Sequence, residues 1–186
     1  RVFPDPDQVS AAARLIAGAE RPCLVAGSGV WWDGGWEELR RLAEEARLPV
    51  FLQRAARGSL PPGHELLFQH ARGAALAACD VVVVVGTPLD FRLGYGRVAE
   101  GARLVHVHSD PAEIGRNRPP DVGIVADCAA ALALLAEALP RPPARRAAWL
   151  DRLRQAERAW WEEHRSQIES DASPIHHYRL GAELDR

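Results

Sequence analysis

Three short segments and one isolated aspartate of this 186-residue chain carry groups that can do chemistry. Gly27-Ser28-Gly29 opens a turn whose backbone amides can face a phosphate at the start of a helix; a tight strand-to-helix turn with no ligand accounts for the same residues. In Gly86-Thr-Pro-Leu-Asp-Phe-Arg92, the Arg92 guanidinium can grip a phosphate with two parallel hydrogen bonds. Asp90 can accept from a ribose or hold Arg92 in place, and an internal Asp90–Arg92 bridge bracing the loop is the plainer alternative. In Ser109-Asp110-Pro111, Asp110 can reach a ribose or adenine edge, or cap the turn over 111–114. Asp127 is a helix cap first and a ligand contact second.

Catalytic groupings are missing. The chain has no nucleophile elbow, no phosphate loop with lysine, no HExxH and no acid pair in a recognisable setting. The third glycine of a dinucleotide fingerprint is replaced by Trp32, and the second strand ends in Gln53 instead of a ribose-holding acid, which disfavours a NAD-linked dehydrogenase. His106 and His108 share one face of a strand without a third ligand at suitable spacing, so they read as packed, hydrogen-bonded histidines and no metal site is assigned. The segment is expected to bind or scaffold, with the chemistry elsewhere; a free-standing nucleotide-binding module without catalysis is the alternative.

These residues need a frame that brings loops together. Val81 to Val85 are five consecutive β-branched residues, a strand buried on both faces, which is the habit of a parallel sheet between helices. The pattern predicts strands over 22–27, 49–53, 80–86, 103–108 and 122–126. Helices are predicted over 7–18 (capped by Asp7), 33–47, 72–78 and 128–139 (capped by Asp127). The alternation implies an α/β fold, a doubly wound parallel sheet with right-handed crossovers. In both common strand orders of such sheets the strand ending at Gly86 lies beside the one ending at Gly27, so loop 86–96 faces 27–30 across the switch point. Pro140-Arg-Pro-Pro143 marks a boundary between a domain at 1–140 and a C-terminal helical extension at 141–186. In the extension, a helix over 144–168 carries Trp149, Leu153, Ala156 and Trp160 on one stripe, and 173–186 opens another helix.

The net charge of −2 and 47% apolar residues describe a globular chain with no electrostatic reason to meet nucleic acid. No run approaches the roughly 20 apolar residues that cross a bilayer, and no signal-peptide pattern is present. Cys23, Cys79 and Cys128 sit in apolar contexts without metal spacing and read as buried hydrophobes of a reducing cytoplasm. The sequence has no methionine and no lysine; the first absence leads to the expectation that the chain is a domain of a larger protein.

Five segments in this order resemble one family. They are Arg21-Pro-Cys-Leu-Val-Ala-Gly-Ser-Gly-Val30, Arg57-Gly-Ser-Leu-Pro-Pro-Gly-His64, Gly86-Thr-Pro-Leu-Asp-Phe-Arg-Leu-Gly-Tyr-Gly96, Val105-His-Val-His-Ser-Asp-Pro-Ala-Glu-Ile114 and Asp121-Val-Gly-Ile-Val-Ala-Asp127. Over about residues 1–140 they are similar to the Rossmann-like central domain of thiamine-diphosphate-dependent enzymes of the acetolactate synthase type. The 2-hydroxyacyl-CoA lyase and oxalyl-CoA decarboxylase branch is also close, through Asp90-Phe-Arg-Leu-Gly-Tyr-Gly-Arg-Val98. The resemblance implies a larger enzyme, a homodimer or tetramer, that decarboxylates or ligates 2-oxo acids on thiamine diphosphate, with the catalytic glutamate in its N-terminal domain and the motif for Mg²⁺ and diphosphate in its C-terminal domain. This central piece would be non-catalytic, holding FAD or ADP or nothing, with Gly27, Ser28, Gly29, Gly86, Thr87, Arg92, Asp110 and Asp127 as the matching contact positions. Flavin-binding members carry Gly-x-Arg-Phe-Asp-Asp-Arg where this chain has Gly86-Thr-Pro-Leu-Asp-Phe-Arg92, one arginine and one aspartate fewer; that departure points away from FAD.

Overall fold

The computed structural model describes residues 2–140 and 146–184. Five parallel strands, β1 (Pro22–Ala26), β2 (Val50–Leu52), β3 (Val81–Val85), β4 (Arg103–His108) and β5 (Val122–Val125), form one sheet in the order β2-β1-β3-β4-β5. Leu24 pairs with Val50 and Val83, Val84 with His106, and Val107 with Ile124. Every residue of β1 and β3 is buried, as continuous apolar strands under two helical layers require. The chain leaves β1 toward β2 and returns to β3 on the other side, so the switch point lies between Gly27 and Gly86.

Helices α1 (Pro6–Gly18), α3 (Trp36–Ala46) and α5 (Cys128–Ala138) pack on one another over one face. Their inward residues recur at helical spacing: Val9, Ala12, Ala13 and Ile16 on α1, and Leu39, Leu42, Ala43 and Ala46 on α3. On the other face Leu76 of α4 (Arg72–Ala78) lies over Val25, Val82, Val84 and Leu104. Trp149, Leu150 and Leu153 of α6 (Arg146–Ile168) join the same core, and Ala156 packs against it. The final helix, α7 (His177–Leu184), contacts α6. Residues 144 and 145 of the expected helix, most of the expected boundary at 140–143, and the end of the tail helix fall outside the described residues.

Three expectations are corrected. Asp5, not Asp7, caps α1: its carboxylate accepts the Asp7 amide at 2.8 Å, with Pro6 in the first turn where no amide is needed. The helix expected over 33–47 begins only at Trp36, as α3, and a short helix that was not expected, α2 (Ser28–Trp32), precedes it across Asp33-Gly34-Gly35, with Gly34 at φ 71°. Asp127 stands at the N-terminal cap position of α5, yet its side chain makes no capping bond; the Cys128 amide donates instead to Asp33 Oδ2 at 2.6 Å. The strands also end a residue or so inside the expected limits, apart from β4, which matches over 103–108.

Candidate functional site

All the candidate residues lie at the carboxyl ends of the strands, because each follows a parallel strand: β1, β3, β4 or β5. Two turns meet there, Gly27 under the Thr87 side chain and Gly29 directly against the Gly86 backbone. The Gly27 amide donates to the Val85 carbonyl and the Gly29 amide to the Gly86 carbonyl, both at 2.9 Å. A Cβ on Gly27 would come within 2.3 Å of Thr87 Cβ, and one on Gly29 within 2.7 Å of Gly86 Cα. Gly86 itself has φ 63°, a conformation that glycine holds without strain. The facing of 27–30 and the β3 loop is therefore as expected, but the glycines serve to join the turns, and two of their amides are already taken.

Thr87 is buried beside this crossing, and its carbonyl accepts from His106 Nε2 at 3.1 Å. Burial, partly opposed by that hydrogen bond, lowers the His106 imidazole below its ordinary range. Its Nδ1 has no partner. His108 Nδ1 accepts the Asp110 amide at 3.0 Å, and the two rings stand 6.1 Å apart. Both histidines are hydrogen-bonded, in keeping with the plainer reading of the pair. Asp110 caps the short 3₁₀ turn Pro111–Glu113 by accepting from the Ala112 amide at 2.9 Å.

Asp90 is the centre of the polar cluster. Its Oδ1 accepts the Arg92 amide at 2.9 Å, and its Oδ2 accepts from the Arg92 guanidinium at 2.8 Å and the Arg54 guanidinium at 2.9 Å. Burial alone would push the carboxyl up, but the Arg92 amide and guanidinium, with Arg54 beyond, hold it below its ordinary value. The Asp90–Arg92 bridge is thus present, with a second arginine added from the 3₁₀ turn after β2 (Arg54–Ala56). Two cations on one carboxylate leave the cluster with one positive charge in excess, and both arginines remain about two-fifths exposed. The Arg92 guanidinium also lies 4.2 Å from the centre of the exposed Phe91 ring.

Arg54 was not legible from the sequence, since it stands 36 residues from Asp90. Beside it, Gln53 is only 4% exposed and neither polar atom of its carboxamide has a hydrogen-bond partner. Gln53 follows β2 directly, so an orphaned carboxamide sits at the same edge as the Arg54–Asp90–Arg92 cluster. Cys128 packs under the crossing, 2.9 Å from where a Gly86 Cβ would stand, and burial followed by the Asp33 carboxylate pushes its thiol well above the ordinary range. All three cysteines are free and buried. Among the described residues no three His, Cys, Asp or Glu side chains gather as a metal site, and no helix is long and apolar enough to cross a membrane.

Comparison with known proteins gives one answer at each level. Residues 9–135 match the family model described as thiamine pyrophosphate enzyme, central domain. The acetolactate synthase large subunit IlvG of Mycobacterium tuberculosis is 36% identical over 183 residues, covering 97% of this chain and 33% of that protein. The oxalyl-CoA decarboxylase of Escherichia coli K12 is 31% identical over 180 residues, 95% of this chain and 32% of that protein. A solved structure from Mycobacterium smegmatis, provisionally described as a thiamin diphosphate-dependent enzyme, superimposes with a TM-score of 0.65 at 28% identity over 78% of this chain and 30% of the other. The chain thus spans about a third of the length of these relatives. With the strand order, the glycine crossing and nearly the whole chain accounted for, it belongs to the thiamine pyrophosphate enzyme central domain family.

Proposed function

We propose that the protein carrying this chain is a thiamine-diphosphate-dependent enzyme of the acetolactate synthase type, and that these residues form its non-catalytic middle domain. The observation that carries this reading is the 36% identity to an acetolactate synthase large subunit sustained over 97% of the chain. A lyase of the oxalyl-CoA decarboxylase kind is the second reading, favoured by the 31% identity over 95% of the chain. In this reading the Mg²⁺–diphosphate chemistry belongs to parts of the longer protein outside these residues.

In this reading the middle domain binds at the carboxyl edge. Arg92 and Arg54 meet the diphosphate of an adenine nucleotide, Ser28 lies at the turn between them and Gly86–Thr87, and Asp110 and Asp127 reach toward the sugar. What supports it is the excess positive charge on Asp90 and the unpaired, buried carboxamide of Gln53 at the same edge. FAD fits less well than ADP, since the loop lacks one arginine and one aspartate of the flavin-binding pattern.

Two measurements test these claims separately. The longer protein, supplied with thiamine diphosphate and Mg²⁺, is expected to form acetolactate from pyruvate; turnover of oxalyl-CoA instead would install the second reading, and neither activity would remove both. Calorimetric titration with ADP tests the edge. Arg92→Ala is expected to weaken ADP by about 1.5–3 kcal/mol, the range for a hydrogen bond to a charged group. An unchanged affinity would return Arg92 to bracing its loop.

A further inference from the structure

Among the described residues, half of the large apolar side chains that remain exposed gather around one turn, the first turn of α5. Trp31 and Trp36 are 47% and 39% exposed with ring centres 5.4 Å apart, and Trp32 is 76% exposed. They belong to α2 and the start of α3, whose inward side is closed by Val30 at 0% exposure. This ridge is held against α5: Asp33 accepts the Cys128 amide, and a Cβ on Gly35 would lie 3.0 Å from Ala129 Cα. From the other side the incoming chain passes the same turn, where the Asp127 amide donates to the Val2 carbonyl at 2.9 Å. Val2 and Phe3 are 44% and 75% exposed there, and Val125, two residues before Asp127, is 37% exposed.

None of these aromatic residues takes part in the cluster at Asp90 or in the core. Clustered, solvent-facing tryptophans are unusual on a lone domain and are the residue type that anchors interfaces, where a flat ring buries a large area with little entropy to lose.

We propose that the ridge of Trp31, Trp32 and Trp36 is the docking surface for the domain that precedes this one in the longer protein. The inference rests on the reading above, in which this chain is the middle of an enzyme about three times its length. The path of the chain favours that occupant over a separate protein. Val2 is bonded to the same turn of α5 against which the ridge is held, so whatever precedes it is delivered near the tryptophans and meets them at high effective concentration.

The test compares Trp32→Cys in the longer protein and in the 186-residue chain, reading by peptide mass mapping the rate at which a maleimide labels position 32; Cys23, Cys79 and Cys128 are buried. The expected result is rapid labelling in the short chain and labelling at least about tenfold slower in the longer protein, equivalent to roughly 1.4 kcal/mol of protection. A longer protein with a folded preceding domain but equal rates overturns the surface and leaves the proposed function standing. Slow labelling in the short chain that depends on its concentration, with a dimer in sedimentation, also overturns the proposal by assigning the ridge to a second copy. A reading frame with no preceding domain overturns the function itself, and the surface with it. Trp32 is largely exposed, so the variant is expected to fold. Acrylamide quenching of the wild-type tryptophans, stronger in the short chain than in the longer protein, reads the same protection without mutation.

Discussion

The two edges of the sheet are finished in opposite ways. At the amino edge, among the described residues, buried and half-buried polar groups are tied down by several partners each. The Asp80 carboxylate accepts the Glu20 and Arg21 amides at 2.8 and 3.0 Å, and Asp121 accepts the Leu104 amide at 2.7 Å. Arg146, 2% exposed, donates to the carbonyls of Ile16, Ala19 and Ala46, closing the ends of α1 and α3, while Trp149 Nε1 donates to the Pro22 carbonyl at 2.8 Å. At the carboxyl edge Gln53 has no partner, Asp90 is shared between two arginines, and those arginines face solvent. Buried polar groups cost free energy unless paired, so an edge that leaves some unpaired has forgone stability that the other edge keeps. The spare polar capacity lies where ligands of open α/β sheets bind.

That contrast can be broken by substitution. Arg146→Met should be the most damaging change, because it strands buried helix-end carbonyls; a loss of about 3–5 kcal/mol is expected in urea unfolding. A loss under about 1 kcal/mol would mean that the amino edge is not sealed through Arg146. Gly86→Ala comes next. It places a Cβ 2.8 Å from Gly29 Cα in a left-handed conformation, and about 2–4 kcal/mol should be lost, with ADP affinity falling in step.

The seam between α6 and the body sharpens the comparison in a graded way. Glu157 accepts the amides of Gln69, His70 and Ala71 at 2.8–3.2 Å, an acid on the positive end of α4 supplied by another helix. Glu157→Gln is expected to cost about 1 kcal/mol. The His70 ring stacks on Trp160 at 3.4 Å, and Trp160 on His164 at 4.1 Å. Burial, opposed by Glu157 and aided by His164, holds the His70 imidazole below its ordinary 6.5. The unfolded chain therefore takes up this proton first, so the seam is intact above pH 6.5 and weakens as pH falls below it. A His70→Gln variant should flatten that part of the stability–pH curve; an unchanged slope would remove His70 as its cause. The smallest effect is expected of Gln53→Met. Replacing an unpaired carboxamide by an apolar group should leave stability within about 0.5 kcal/mol or raise it, and a large loss would mean that Gln53 is satisfied in solution and the carboxyl edge less open than its geometry implies.

What could be read in the sequence was what is written locally. The run Val81–Val85 can be little but a doubly covered strand, and the two glycine-ended strands placed the switch point correctly. Asp90 and Arg92 are two residues apart, so their bridge was foreseeable. The errors lie where a distant partner decides. The apolar spacing of Trp36, Leu39, Leu42 and Ala43 extends naturally back toward Asp33, and only the need of α5 for a carboxylate, 95 residues on, shows why the chain breaks there. That same bond is why Asp127 holds a cap position without doing the capping. Arg54 joins Asp90 from a left-handed turn at φ 53°, a conformation an arginine rarely takes and its neighbours do not announce.

The glycine crossing has a mechanical consequence. Most packed elements meet through side chains that can change rotamer and absorb a small displacement. Gly29 and Gly86 meet backbone to backbone, so no such cushion separates them. A displacement of Gly86 therefore meets α2 directly, and α2 carries Trp31 and Trp32. The polar edge and the tryptophan ridge thus share one joint, a pair of residues without side chains.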